Sequence, residues 1–355
     1  MLPLMTDGHL DLAYNAMVLR RDVRQPVETI RKSERQTPPP GRHAGTCLVS
    51  VPEMIKGRIG VIGGSIFVAP AWRRWQDEAE VYHNAEEAHQ QASAQMDFYH
   101  RLADEDQRVR LIRATADLEA VLETWETDKP QLGVFVIMEG ADPIRTPEEL
   151  KLWVERGVRG IGLSWAAGTR YAGGNGHPGP LTDLGRNLLE AMADYNLLVD
   201  LSHLWEDAAY EVLDRYPGPI VASHANPRAF VDSPRQLSDH LIERIAERNG
   251  VIGIVPYNRM LQTGWTENAP RLPLQRVAEA IDYVCQLLGS AEHVGIGSDF
   301  DGGLGRESVP HGIETIRDLN KLAPLLQERG YDEKNIANIL HANWLRQMRT
   351  ALESF

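Results

Sequence analysis

Six short runs, apolar throughout and each ending in a polar or glycine residue, constrain this chain more than anything else in it. They are Gly133-Val134-Phe135-Val136-Ile137-Met138 and residues 158–163, 197–201, 219–222, 251–255 and 293–297. A strand with one wet face alternates apolar and polar residues, whereas a run without alternation suits a parallel sheet covered on both faces. Amphipathic stretches at 147–156, 183–195 and 238–249 separate the runs, the last stopped by Gly250. Strand–helix–strand units repeated this often predict an α/β fold with right-handed crossovers. Two earlier strands, at 2–8 and 59–69, bring the total to the number that closes a (β/α)8 TIM-type barrel.

The N-terminal third is less regular. Thr37-Pro38-Pro39-Pro40-Gly41 cannot be helical, so residues 20–57 read as a long excursion between the first two strands. Residues 75–102 read as one long helix. Residues 108–114 would make a ninth strand, which is assigned outside the barrel. Without a repeat or an interdomain linker, residues 1–355 are taken as one barrel domain.

Charge and cysteines bound the partners. Fifty acidic against 37 basic residues give a net charge of −13, which argues against nucleic acid or an anionic membrane surface. Cys47 and Cys285 cannot form a disulfide framework and read as buried thiols in a reducing compartment. No apolar run has the length of a membrane span, and the first residues lack a basic flank and long apolar stretch. The expectation is a cytoplasmic protein with no membrane partner; a homodimer is compatible with it.

The chemistry lies where ionisable residues meet the apolar runs. His9 and Asp11 follow the first strand, Glu139 ends the run 134–138, and His203, His224 and Asp299 follow later runs. In a parallel barrel the C-terminal ends of all strands share one rim, so these six side chains should converge. His9 and Asp11, two apart in extended backbone, point to the same side. His203 and His224 are one βα unit apart, so their strands should be neighbours. Imidazole mixed with carboxylate suits zinc or a similar first-row ion. A carboxylate with two ligands on either side would build a binuclear site, holding two divalent ions. Such ions, about 3.5–4 Å apart, deprotonate a shared water and polarise the carbonyl that it attacks. Asp299 is placed to act as acid or base. Each residue alone has a bland reading, as a turn pair, a core histidine or a helix cap; their common place at strand ends makes the set a metal centre.

Asp7-Gly8-His9-Leu10-Asp11, Met138-Glu139-Gly140, Val199-Asp200-Leu201-Ser202-His203, Ala222-Ser223-His224 and Gly297-Ser298-Asp299-Phe300-Asp301-Gly302 together resemble the renal (membrane) dipeptidase family of the amidohydrolase superfamily. Asn343-Trp344-Leu345-Arg346 resembles that family's closing helix, and the likeness is weakest between residues 20 and 130. The resemblance implies a binuclear-zinc (β/α)8 barrel that hydrolyses dipeptides, often with a D-residue or dehydro-residue in second position. It implies one metal on His9 and Asp11, the other on His203 and His224, and Glu139 as the bridging, catalytic carboxylate. Asp299 matches the catalytic aspartate, a role that extends to holding the substrate amine. Arg235 falls where an arginine takes the substrate's free carboxylate, a task suited to its planar fork.

One position departs from the family. Where a histidine is expected to polarise the scissile carbonyl stands Trp165, whose indole can donate but cannot become cationic. Trp165 then reads as a pocket wall. The loop 169–180 carries Arg170, Tyr171 and His177, any of which could substitute. The glycines of Gly173-Gly174-Asn175-Gly176 are read as hinges that let His177 close on the substrate. The departure opens an alternative substrate class: N-acyl amino acids, lactams or other small amides. A catalytically silent barrel is the remaining alternative, against which the complete ligand set speaks. The histidines at 43, 83, 89, 100, 240, 293, 311 and 341 match no ligand position.

Overall fold

The computed structural model describes residues 3–40, 44–73 and 80–355. Its strands are β1 (Met5–Leu10), β2 (Ile59–Phe67), β3 (Val109–Leu111), β4 (Leu132–Glu139), β5 (Val158–Gly162), β6 (Ala172–Gly174), β7 (His177–Leu181), β8 (Leu198–Asp200), β9 (Ile220–Ala222), β10 (Val251–Ile254) and β11 (Val294–Ile296). Eight of them run in the order β2-β1-β11-β10-β9-β8-β5-β4, and pairing of β2 with β4 closes the ring. All these pairings are parallel. Helices lie between the strands, so the chain is a (β/α)8 barrel of the TIM type. β3 adds to β4 outside the ring, where the sequence placed its ninth strand.

β4 shows why the runs do not alternate. Phe135 and Ile137 pack in one cluster with Val61, Leu198, Val221 and Val251 from other strands. Val134, Val136 and Met138 point the other way, into the larger core that includes the helices. Both faces are dry, so both must be apolar.

The helix Asn343–Leu352 crosses the N-terminal end of the barrel. Its Asn343 side chain donates to the carbonyls of Ala291 and Val294 at 2.7 and 2.8 Å. Asn196, just before β8, donates to the Thr350 carbonyl at 2.6 Å, and Gln347 donates to the carbonyl of Asn249, just before β10. Trp344 is wedged between β1 and β11, with its Nε1 on the Ile296 carbonyl at 2.8 Å. A Cβ on either Gly8 or Gly295 would overlap the indole, so the two glycines are required by this close approach.

The excursion folds back as two helices, Val27–Gln36 and Val51–Lys56. Buried Arg21 donates to the carbonyls of Ala44 and Gly45 and pairs with Glu34 at 2.7 Å. It also lies 3.4 Å from Asp301, which accepts the Leu48 and Val49 N–H groups, each at 2.9 Å. This network pins the excursion to the segment after β11. Cys47 and Cys285 are buried free thiols. Among the described residues no helix is long and apolar enough to cross a membrane.

Three local expectations are corrected. β1 extends through His9 to Leu10, so His9 lies within the strand. The helix expected from residue 75 runs Ala85–Glu105, started by Asn84, whose side chain accepts the Glu87 N–H at 3.0 Å; residues 74–79 lie outside the described part. The segment 169–180 is largely an antiparallel hairpin, β6 with β7. Two of its glycines are required by crowding: a Cβ on Gly174 would strike the Trp165 carbonyl, and one on Gly173 would strike Gly179.

Candidate metal centre

Glu139 ends β4, and alternation turns its side chain to the same side as Phe135 and Ile137. Its Oε2 faces Nε2 of His9 at 3.5 Å, and its Oε1 faces Nε2 of His203 at 3.1 Å and of His224 at 3.4 Å. Oδ1 of Asp11 is 3.7 Å from the same His9 nitrogen. Ligand atoms therefore gather as His9–Asp11–Glu139 and Glu139–His203–His224, with Glu139 common to both. Asp299 forms a third grouping with His9 and His224. The six residues singled out in the sequence meet on one rim. β8 and β9 are paired neighbours, and the Nε2 atoms of His203 and His224 are 3.0 Å apart.

The residues present fit a cation. Nε2 of His9 is buried with no hydrogen-bond partner, and two further imidazole nitrogens crowd one carboxylate oxygen. Burial holds His203 down at about 4 and His224 well below the ordinary imidazole value, in the neutral form that a metal requires. Burial works against His9 too, but the charge of Glu139 and the contacts of Asp11 outweigh it and raise its pKa well above the usual value. Positive charge is thus favoured between these groups, as a proton or as an ion. Burial, helped by the charges of Asp11 and Glu139, lifts Asp299 well above the carboxylate range, as suits a group that carries a proton.

Backbone strain marks the same rim. His203 and Asp299 adopt left-handed conformations, with φ of 64° and 54°. The Asp299 N–H donates to the His9 carbonyl at 3.1 Å, tying the strand ends together.

Arg235 donates through Nη2 to the His224 carbonyl at 2.7 Å, while its buried Nη1 has no partner. A fork with one prong fixed and one unused is suited to grip an anion. Trp165 is half-buried, 6.0 Å from the His203 ring and 5.1 Å from Phe67, which lies 5.6 Å from Tyr14. These rings form an apolar wall beside the centre. His177 is exposed on β7, with its ring over Gly168. Arg170 is engaged by Asp142 and by the carbonyls of Asp142, Ile144 and Arg145, and the Tyr171 hydroxyl by the Ile144 carbonyl. Both are committed to structure.

Sequence reasoning missed the side chains behind the ligands. Ser65 on β2 donates to Oδ1 of Asp11. Asn175, at the hairpin turn, sets its Oδ1 3.0 Å from Nδ1 of His203, and its N–H donates to the His203 carbonyl at 2.8 Å. Asp200 and Ser223 sit inside two of the quoted motifs, beneath His224 and His9. The available signal was the serine directly before two of the histidines, in Ser202-His203 and Ser223-His224; Ser65 and Asn175 lie far from the ligands in sequence and gave none.

A closed parallel barrel with imidazoles and carboxylates gathered round one carboxylate on its C-terminal rim is the architecture of a metal-dependent hydrolase. The membrane dipeptidase family, peptidase family M19, matches residues 3–354, and the chain belongs to it. The protein is accordingly a hydrolase, a dipeptidase of a metallopeptidase family. An uncharacterized protein in the pqqA 5′ region of Klebsiella pneumoniae is 31% identical over 251 residues, 68% of this chain and 89% of that one. The structure of dipeptidase AC, a metallo peptidase of family M19, superposes with a TM-score of 0.80 at 24% identity, covering 99% of both chains. A metallo peptidase from Rhodobacter sphaeroides, liganded with a phosphinate mimic of L-Ala-D-Ala, gives a TM-score of 0.81 at 23% identity, covering 99% of this chain and 100% of that one.

Proposed function

We propose that this enzyme is a binuclear zinc dipeptidase that accepts a D-residue at the C-terminal position. The observation that carries the reading is the division of Glu139, with one oxygen toward His9 and the other toward His203 and His224. His9 and Asp11 would hold one ion, His203 and His224 the other, and Glu139 both. Bound divalent ions supply water activation and polarisation of the scissile carbonyl. Arg235, through its unpartnered Nη1, takes the substrate's free carboxylate. Asp299, raised in pKa beside His9, passes a proton to the leaving amine. The ligand of the Rhodobacter protein supports a D-residue in the second position.

The aromatic wall of Tyr14, Phe67 and Trp165 favours a second reading, in which an apolar acyl group takes the place of the N-terminal residue. One panel separates the two: L-Ala-D-Ala, L-Ala-L-Ala, their C-terminal amides and N-acyl alanines, assayed with zinc. A dipeptidase cleaves the free dipeptides fastest and prefers the D-isomer. Arg235→Met should raise KM about 30-fold, the worth of roughly 2 kcal/mol for a charged hydrogen bond, and erase the preference over amides. Faster turnover of the N-acyl alanines would replace the dipeptide reading with the second one.

A further inference from the structure

The imidazoles of the centre must each present one nitrogen as a lone pair, and something must fix which. We propose that Ser223, oriented by Asp200, is a positioning residue shared by both halves of the metal centre. Its single hydroxyl sets the tautomer and ring orientation of His9 on one side and of His224 on the other. The inference rests on the two-ion reading above.

The argument is one of donors and acceptors. Oγ of Ser223 lies 2.7 Å from Nδ1 of His224, 3.2 Å from Nδ1 of His9, and in close contact with Oδ2 of Asp200. All four residues are buried. Asp200 is fixed by its other oxygen, which accepts the Ser202 and Ser223 N–H groups at 3.0 and 2.8 Å. A carboxylate only accepts, so the one serine hydrogen goes to Asp200. The oxygen of Ser223 is then left with lone pairs alone, and both histidines must donate to it from Nδ1. In the neutral form that binds a metal, their Nε2 atoms then carry the lone pairs, at the two places beside Glu139. Ser202 accepts the His224 N–H at 3.0 Å, and its own hydroxyl, 3.4 Å from Oγ of Ser223, can only donate to it, which leaves the assignment of the Ser223 hydrogen to Asp200 unchanged.

His203 is oriented differently, by Asn175 from the hairpin. The two supports should therefore leave different signatures. Loss of Ser223 frees a ligand in each half, whereas loss of Asn175 frees a ligand in one half only.

The experiment strips wild type, Ser223→Ala, Ser223→Thr, Asp200→Asn and Asn175→Ala of metal with a chelator and titrates each with zinc. Bound metal is counted by mass spectrometry, and cobalt(II) spectra report ligand geometry. Circular dichroism of the stripped proteins checks the fold. Wild type should take two ions. Ser223→Ala should weaken both steps by about 10–100-fold, the usual effect of removing a partner behind a ligand. Ser223→Thr, which keeps the hydroxyl, should restore them. Asp200→Asn should weaken both less, and covers the case in which Ser223→Ala does not fold. Asn175→Ala should weaken one step. Two ions bound by Ser223→Ala with wild-type affinity, or loss confined to one step, would overturn the shared role alone. Fewer than two ions in the wild type would overturn the two-ion reading and this inference with it.

Discussion

Non-glycine residues with left-handed backbone occur at both ends of the barrel, and their identities differ. At the base they include Arg58, Asn196 and Asn249, the last two being asparagines, which tolerate this conformation. At the rim they are His203, Asp299 and Asp301. Strain of this kind costs on the order of 1–3 kcal/mol per residue and is kept where the surroundings enforce it. The base is filled by Trp344, Leu345, Met348 and Leu352, and its two asparagines are bound by the helix that carries them. The rim gathers three imidazoles and three carboxylates within a few ångströms of one another. Stability is therefore concentrated at one end and reactivity at the other. Substitutions should separate accordingly.

The largest effect is expected from Glu139→Gln, which weakens the one carboxylate common to both halves. Hydrolysis should fall to background and metal content should drop, while circular dichroism stays native. Two bound ions with near-native turnover would deny Glu139 its shared role. Next, Asp299→Asn should keep the metals and lower kcat by about 10²–10⁴-fold, the range for a missing general acid or base. Loss of metal instead would make Asp299 chiefly a ligand, as its grouping with His9 and His224 allows.

At the base the sign of the experiment reverses. Trp344→Ala should cost about 3–5 kcal/mol of unfolding free energy, as a large buried aromatic lost to a cavity, with metal content unchanged in the folded protein. Denaturant titration measures the first and elemental analysis the second. A smaller effect comes from His341, whose Nδ1 is 2.9 Å from the Thr6 hydroxyl and whose pKa burial lowers to about 4. The unfolded chain takes a proton there below about 6.5, while the folded form does not until about 4. The contribution is complete above 6.5 and declines as pH falls toward 4, by about 2 kcal/mol at pH 5. His341→Gln should flatten that part of the stability–pH curve. An unchanged acid slope would assign the sensitivity to other groups.

The barrel was legible because a strand dry on both faces has little choice of residue, and β4 writes that rule in the seven positions before Glu139. The ligands were legible because histidine and carboxylate side chains are out of place at the end of such runs. What stayed hidden acts through other residues. Ser223 and Asp200 carry no periodic signal, and their meaning depends on two imidazoles brought together from different strands. The link from Arg21 to Asp301 joins segments far apart in sequence, so no local pattern announces it. The hairpin was misjudged because glycine serves both freedom and crowding, and only the Trp165 carbonyl decides between them. The start at Asn84 was available in principle, since Glu87 follows three positions later.

The wedge of Trp344 against Gly8 also bears on how the protein is made. β1 leaves the ribosome well before β11 and Trp344, its neighbours in the fold. Thr6 and its partner His341 are 335 residues apart. At a synthesis rate of about 5–20 residues per second, that separation is roughly 20–70 s. Throughout this interval the strand that bears His9 lacks a neighbour on one edge and the indole that fills the space beside it. The edge of β1 that meets β11 is then closed among the last, and a ribosome stalled before residue 344 would display an unsealed barrel to chaperones and proteases.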